Sequence, residues 1–179
     1  DVIHPEGAAH ADPHVWGDAQ LWAKCLEPVV EGLSRVLPEK AGIFAQRGLQ
    51  WRASTLALHD WAKAEAAKIP AERRVLITSH DAFNYFGRAY GFQVVGVQGI
   101  STVSEAGLAD VAKTVDFIKA RQVKAIFVES SVPHATIERI AKDSGAKIGG
   151  ELFSDALGAG QTYEQMLRLN VSTIVEALK

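Results

Sequence analysis

From Pro70 onward, short apolar runs alternate with stretches of helical spacing, and this alternation constrains the fold of the 179-residue chain more than any other feature. Val75–Thr78, Gln93–Val97, Ala125–Val128 and Lys147–Ile148 read as strands. Ala82–Tyr90, Glu105–Arg121 and Ala135–Asp143, with a last segment at Tyr163–Leu178, read as helices. Strands separated by helices and joined by right-handed crossovers give a parallel sheet covered on both faces. Residues 70–179 are therefore expected to form an α/β unit with four parallel strands. Ahead of it, apolar positions from Ile43 to Trp61 continue into an Ala-, Lys- and Glu-rich stretch, which predicts one long helix over 43–69, roughly 40 Å from end to end. Such a helix is long enough to link two lobes. In residues 1–42 an irregular histidine-bearing segment precedes a helix with Asp18 as its N-cap, which carries Leu21 through Leu37 with Pro28 inside it and stops near Pro38.

Charge and composition exclude several classes of function. The net charge is −2, and no block of like charges offers a landing patch for nucleic acid or an anionic membrane. No apolar run reaches the length of a membrane span, and the first residues carry neither the charged nor the apolar region of a targeting signal. The single cysteine, Cys25, lies among Leu21, Trp22 and Leu26 and is expected to be a core thiol.

Ligands of open α/β sheets bind beyond the carboxyl ends of the strands. Ser79-His80, Glu129-Ser130 and Phe153-Ser154-Asp155 all follow predicted strands and should share one rim. Together with His14 of Asp12-Pro13-His14, His80 and Asp155 supply imidazole and carboxylate donors at element ends, a set that suits a divalent transition ion such as zinc. Taken singly, each has a plainer reading: His14 as a helix-start histidine, and His80 and Asp155 as caps. Glu129 could ligate, cap the next helix, or hold an imidazole N–H in the right tautomer, and the outer-sphere or structural role is favoured over ligation. Trp16 reads most simply as lobe packing, although two residues from His14 it could also wall off the site. His4 and His10 are open between auxiliary metal capture and plain loop residues. His59 is read as a solvated or core histidine and His134 as an exposed one. No catalytic relay is legible: Ser79, His80 and Asp81 are adjacent and cannot form a hydrogen-bonded chain, and no nucleophile elbow or phosphate-binding loop occurs.

Five segments carry a resemblance: Asp12-Pro13-His14-Val15-Trp16, Thr78 through Phe86 with Tyr90-Gly91, Phe127-Val128-Glu129-Ser130, Phe153-Ser154-Asp155-Ala156-Leu157, and Tyr163 through Leu167 with Asn170. In this order they resemble the zinc/manganese solute-binding proteins of bacterial ABC transporters, the metal-binding cluster A-I type. The resemblance implies two α/β lobes joined by a long rigid helix with the metal between them, and His14, His80 and Asp155 as its second, third and fourth ligands. It implies zinc as cargo with manganese possible, an ABC transporter permease as partner, a periplasmic or extracellular location, and no enzymatic activity. Histidine at position 80 tilts the reading to zinc, because many manganese-selective members carry glutamate there. Most of the family's amino lobe, including its first histidine ligand, is expected to be missing from this sequence, with residues 1–42 as a remnant of that lobe. The chain is thus expected to be a carboxy-terminal part that binds metal weakly and self-associates. The alternatives are a zinc-dependent hydrolase using the same three residues and a surface adhesin or structural module.

Overall fold

The computed structural model describes residues 1–5, 10–100 and 107–179. Asp18 caps the first helix, accepting the N–H groups of Gln20 and Leu21. The helix expected over this region is split in two, α1 (Ala19–Lys24) and α2 (Leu26–Val36). Pro28 explains the break: it has no N–H to give to the carbonyl of residue 24, so the ladder fails there while proline is tolerated in the first turn of α2. Cys25 sits at that break and is exposed, which corrects its reading as a core thiol. α1 turns Ala19 and Ala23 inward, whereas no residue of α2 is buried.

The long helix, α3 (Ala41–Ala66), spans 26 residues. Its buried positions, Thr55, Leu58, His59, Ala62 and Ala66, lie in the carboxy-terminal half at helical spacing. The remaining elements follow as the apolar periodicity predicts: β1 (Val75–His80), α4 (Asn84–Tyr90), β2 (Gln93–Gln98), α5 (Leu108–Arg121), β3 (Ala125–Glu129), α6 (Ala135–Ser144), β4 (Lys147–Leu152) and α7 (Tyr163–Leu178). Glu105, where the fifth helix was expected to begin, lies outside the described residues.

All strand pairing is parallel: β1 with β2, and β3 with β4. β1 and β3 lie side by side, giving the spatial order β2-β1-β3-β4. Among the described residues the four strands form two hydrogen-bonded pairs, where a single four-stranded ladder was expected. At the carboxyl ends of β1 and β3 a side chain makes the link, with the His80 N–H donating to the Glu129 carboxylate at 2.8 Å.

Side-chain alternation sorts the core into two layers. Leu76, Ala125 and Phe127 face α3, α4 and α7, where Phe86, Tyr90, Leu58 and Val171 pack. Val75, Ile77, Ile126 and Val128 face α5 and α6, where Ile118, Ile137 and Ile140 pack. By the same period of two, His80 continues the row of Leu76 and Thr78, and Glu129 continues that of Phe127. Both therefore turn toward the α3/α4/α7 side. β4 extends past Ile148 because a bare backbone suits its middle: a Cβ on Gly149 would stand 2.8 Å from the Phe127 ring and from Ala177 of α7.

Candidate metal centre

His80 closes β1, Glu129 closes β3, and Asp155 stands three residues beyond the end of β4, so the expected rim is present. The centre lies where β1 and β3, each leading to an outer strand, sit side by side, the switch point that such sheets use for ligands. His14 arrives from the other side, at the start of the 3-10 turn Val15–Gly17. One ligand atom from each of His14, His80 and Asp155 lies within 4.8 Å of the others. The structure thus brings together the three residues singled out in the sequence. His4 and His10 are exposed and stand outside this cluster.

The geometry is nearly symmetrical about Asp155. Its Oδ1 lies 3.3 Å from His14 Nε2, and its Oδ2 lies 3.4 Å from His80 Nε2. The opposite nitrogen of each ring is engaged by a second carboxylate. His14 Nδ1 is 2.7 Å from Asp12 Oδ1, which also accepts the His14 backbone N–H at 2.9 Å. His80 Nδ1 is 2.7 Å from Glu129 Oε2, a close ionic contact without hydrogen-bond alignment. A carboxylate at Nδ1 keeps the proton there in the neutral ring and leaves the Nε2 lone pair facing the centre. His80 Nε2 is buried and has no hydrogen-bond partner, an orphan that a metal ion would satisfy.

Burial and charge set the protonation of the ion-free centre. Burial alone would lower the His14 pKa, but the hydrogen bond to Asp12 and the nearby Asp155 carboxylate outweigh it and raise the value to about 9. For His80, burial is likewise outweighed, by Asp155 and Glu129, and the value again rises to about 9. The two imidazoles hold the Asp155 carboxyl well below the ordinary carboxylate range. Asp155 is also the open side of the centre, with its side chain 34% exposed against 4% for His14 and 0% for His80.

Surrounding side chains fix these three. Trp16 packs edge-on against the His14 ring and donates its indole N–H to the Ser154 carbonyl at 2.7 Å, tying the His14 turn to the Asp155 loop. Tyr163 OH donates to the Trp16 carbonyl at 2.8 Å. Asn170 of α7 accepts the Phe153 N–H and donates to the Phe153 carbonyl, clamping the backbone two residues before Asp155. His59 is buried, 3.8 Å from Asp18 and away from the centre. His134, expected to be exposed, is half-buried: its ring contacts the Glu129 carbonyl at 3.2 Å and Glu151 at 3.4 Å. Asp12 was passed over in the sequence as a functional residue. The available signal was its place two residues before a histidine, the spacing at which an aspartate side chain bonds the backbone ahead of it.

The sequence profile described as ZnuA, "Zinc-uptake complex component A periplasmic", matches residues 1–177. The chain belongs to the ZnuA family. Among ZnuA-family relatives, the zinc-binding protein TroA of Treponema pallidum is 46% identical over 179 residues, covering 95% of this chain and 58% of TroA. The manganese-binding lipoprotein MntA of Bacillus subtilis is 43% identical over 177 residues, covering 94% of this chain and 58% of MntA. A solved structure of the T. pallidum periplasmic zinc-binding TroA superposes with a TM-score of 0.95 at 44% identity, covering 99% of this chain and 67% of that one. The chain thus spans about 58% of the length of these two curated relatives. By name, one of these relatives binds zinc and the other manganese.

Proposed function

We propose that this chain captures a divalent transition-metal ion outside the cytoplasmic membrane and presents it to the permease of an ABC transporter, with zinc as the preferred cargo. His14 Nε2, His80 Nε2 and the Asp155 carboxylate are the ligands, and Asp12 and Glu129 orient the two imidazoles. The observation that carries this reading is the spacing of the donors. Bonds of about 2.0–2.1 Å at tetrahedral angles place neighbouring donors about 3.3 Å apart; each imidazole lies 3.3–3.4 Å from one oxygen of Asp155, a different oxygen for each ring, and one donor atom from each of the three residues lies within 4.8 Å of the others. Charge-assisted hydrogen bonds would be shorter, about 2.7–2.9 Å.

Two imidazoles and one carboxylate are borderline donors, for which zinc outranks manganese. Three protein donors leave a fourth tetrahedral position for water or another ligand. Residues 43–69 act as the rigid connector on this reading, 1–42 as the histidine-bearing amino-terminal portion, and 70–179 as the lobe that supplies His80 and Asp155. Calorimetric titration of zinc and manganese into chelator-stripped protein tests the proposal, alongside His80→Ala, His59→Ala and His134→Ala. Zinc should bind more tightly, and only His80→Ala should abolish the binding. Tighter manganese binding overturns the zinc assignment, and equal effects of the three substitutions overturn the defined site.

A further inference from the structure

Asn84 is the first residue of α4 and stands only four residues beyond His80. It touches neither of the proposed imidazole ligands and was not singled out in the sequence. Its side-chain amide donates to Asp12 Oδ2 at 3.1 Å. The other oxygen of the same carboxylate, Oδ1, takes both the backbone N–H and the ring Nδ1 of His14. The next residue, Tyr85, donates its hydroxyl to the Asp12 carbonyl at 3.2 Å and accepts the Ile3 N–H at 3.0 Å. Asp12 is only 3% exposed, so its carboxylate depends on these protein partners.

We infer that Asn84 is a positioning residue for metal capture: by anchoring Oδ2 of Asp12 it fixes the rotation of that carboxylate, and so the direction in which His14 Nε2 points. The inference rests on the metal-capture reading. A carboxylate bonded on one side alone can swing about its terminal torsion, which is broad for aspartate. An amide on the opposite oxygen removes that freedom. The arrangement also links the two imidazoles, because the helix that anchors the partner of His14 begins at the end of the turn that follows His80.

Cobalt(II), whose visible absorption reports the geometry of a tetrahedral site, tests the inference in the whole chain. Asn84→Ala should weaken cobalt and zinc binding about tenfold, the lower end of the range for outer partners of metal ligands, and should shift the cobalt bands while leaving the melting temperature of the ion-free protein nearly unchanged. In an Asp12→Ala background the same substitution should cost nothing further, because its effect runs through Asp12. Asn84→Ser, with a hydroxyl too short to reach Oδ2, should behave as Asn84→Ala does and serves if the alanine variant folds poorly. Unchanged affinity and bands in these variants overturn the inference, as does an undiminished loss in the Asp12→Ala background. A wild-type chain that takes up no cobalt or zinc overturns the metal-capture reading itself, and this inference with it.

Discussion

The Glu129 carboxylate grips His80 twice, accepting its backbone N–H at 2.8 Å through Oε1 and standing 2.7 Å from its ring Nδ1 through Oε2. Both residues are fully buried, so neither contact has a solvent alternative. Glu129→Gln retains one acceptor for the backbone N–H and turns an NH2 group toward Nδ1. A donor there favours the tautomer with its proton on Nε2, which cannot bind metal. Zinc affinity, read by competition with a chromogenic chelator, should fall about 10- to 100-fold.

The pH dependence follows from two imidazoles whose pKa is raised to about 9 in the ion-free protein. Their unfolded value is about 6.5. The stability they contribute is therefore fully present below about pH 6.5 and is lost as pH rises through about 9. The metal-free chain should accordingly melt at progressively lower temperature across that window. Metal must displace the same protons, so zinc affinity should climb through the window and level off above about 9. Calorimetry in buffers of different ionisation enthalpy should count about two protons released per ion near neutral pH. From sequence, only the unperturbed histidine value was available, and it places the fall in affinity near 6.5. The buried carboxylate partners move that edge upward.

Gly96 of β2 lies against the turn that follows His80. A Cβ at this position would stand 2.7 Å from both the N and Cα of Asp81, backbone atoms that cannot swing aside. Gly96→Ala should destabilise the chain by about 1–3 kcal/mol, as overpacking does, and should displace His80. A lower urea midpoint together with weaker zinc binding is expected, and unchanged values of both would show that the turn yields freely.

α2 and the first half of α3 carry exposed apolar side chains, with Val36 76% exposed, Leu49 68% and Val29 51%. Exposed apolar side chains of this size favour association. Sedimentation equilibrium should show concentration-dependent self-association that Val36→Glu reduces, and a strict monomer at high concentration would refute it.

Local pattern by itself determined most of the elements, though not the split between α1 and α2. The apolar period of two or near 3.6 located all four strands and the helices that follow them, and Asp18 marked a helix start by its own side-chain chemistry. The segments around His14, His80 and Asp155 were legible as candidate metal donors only in combination, because the three residue types match one coordination chemistry, whereas each alone reads as a cap or helix-start residue. The tertiary structure alone decided which groups meet. Cys25 has apolar neighbours in sequence, yet it faces solvent because the chain breaks upstream of Pro28 and α2 lies on the surface. Asp12 gains its role from burial against His14 and Asn84, and His134 gains its contacts from Glu129 and Glu151. Pairing two and two, with a Glu129 side chain bridging β1 and β3, likewise lies beyond periodicity. Periodicity reports which face of an element is apolar, whereas burial, protonation and ligand direction depend on contacts between residues as far apart in the chain as His14 and Asp155.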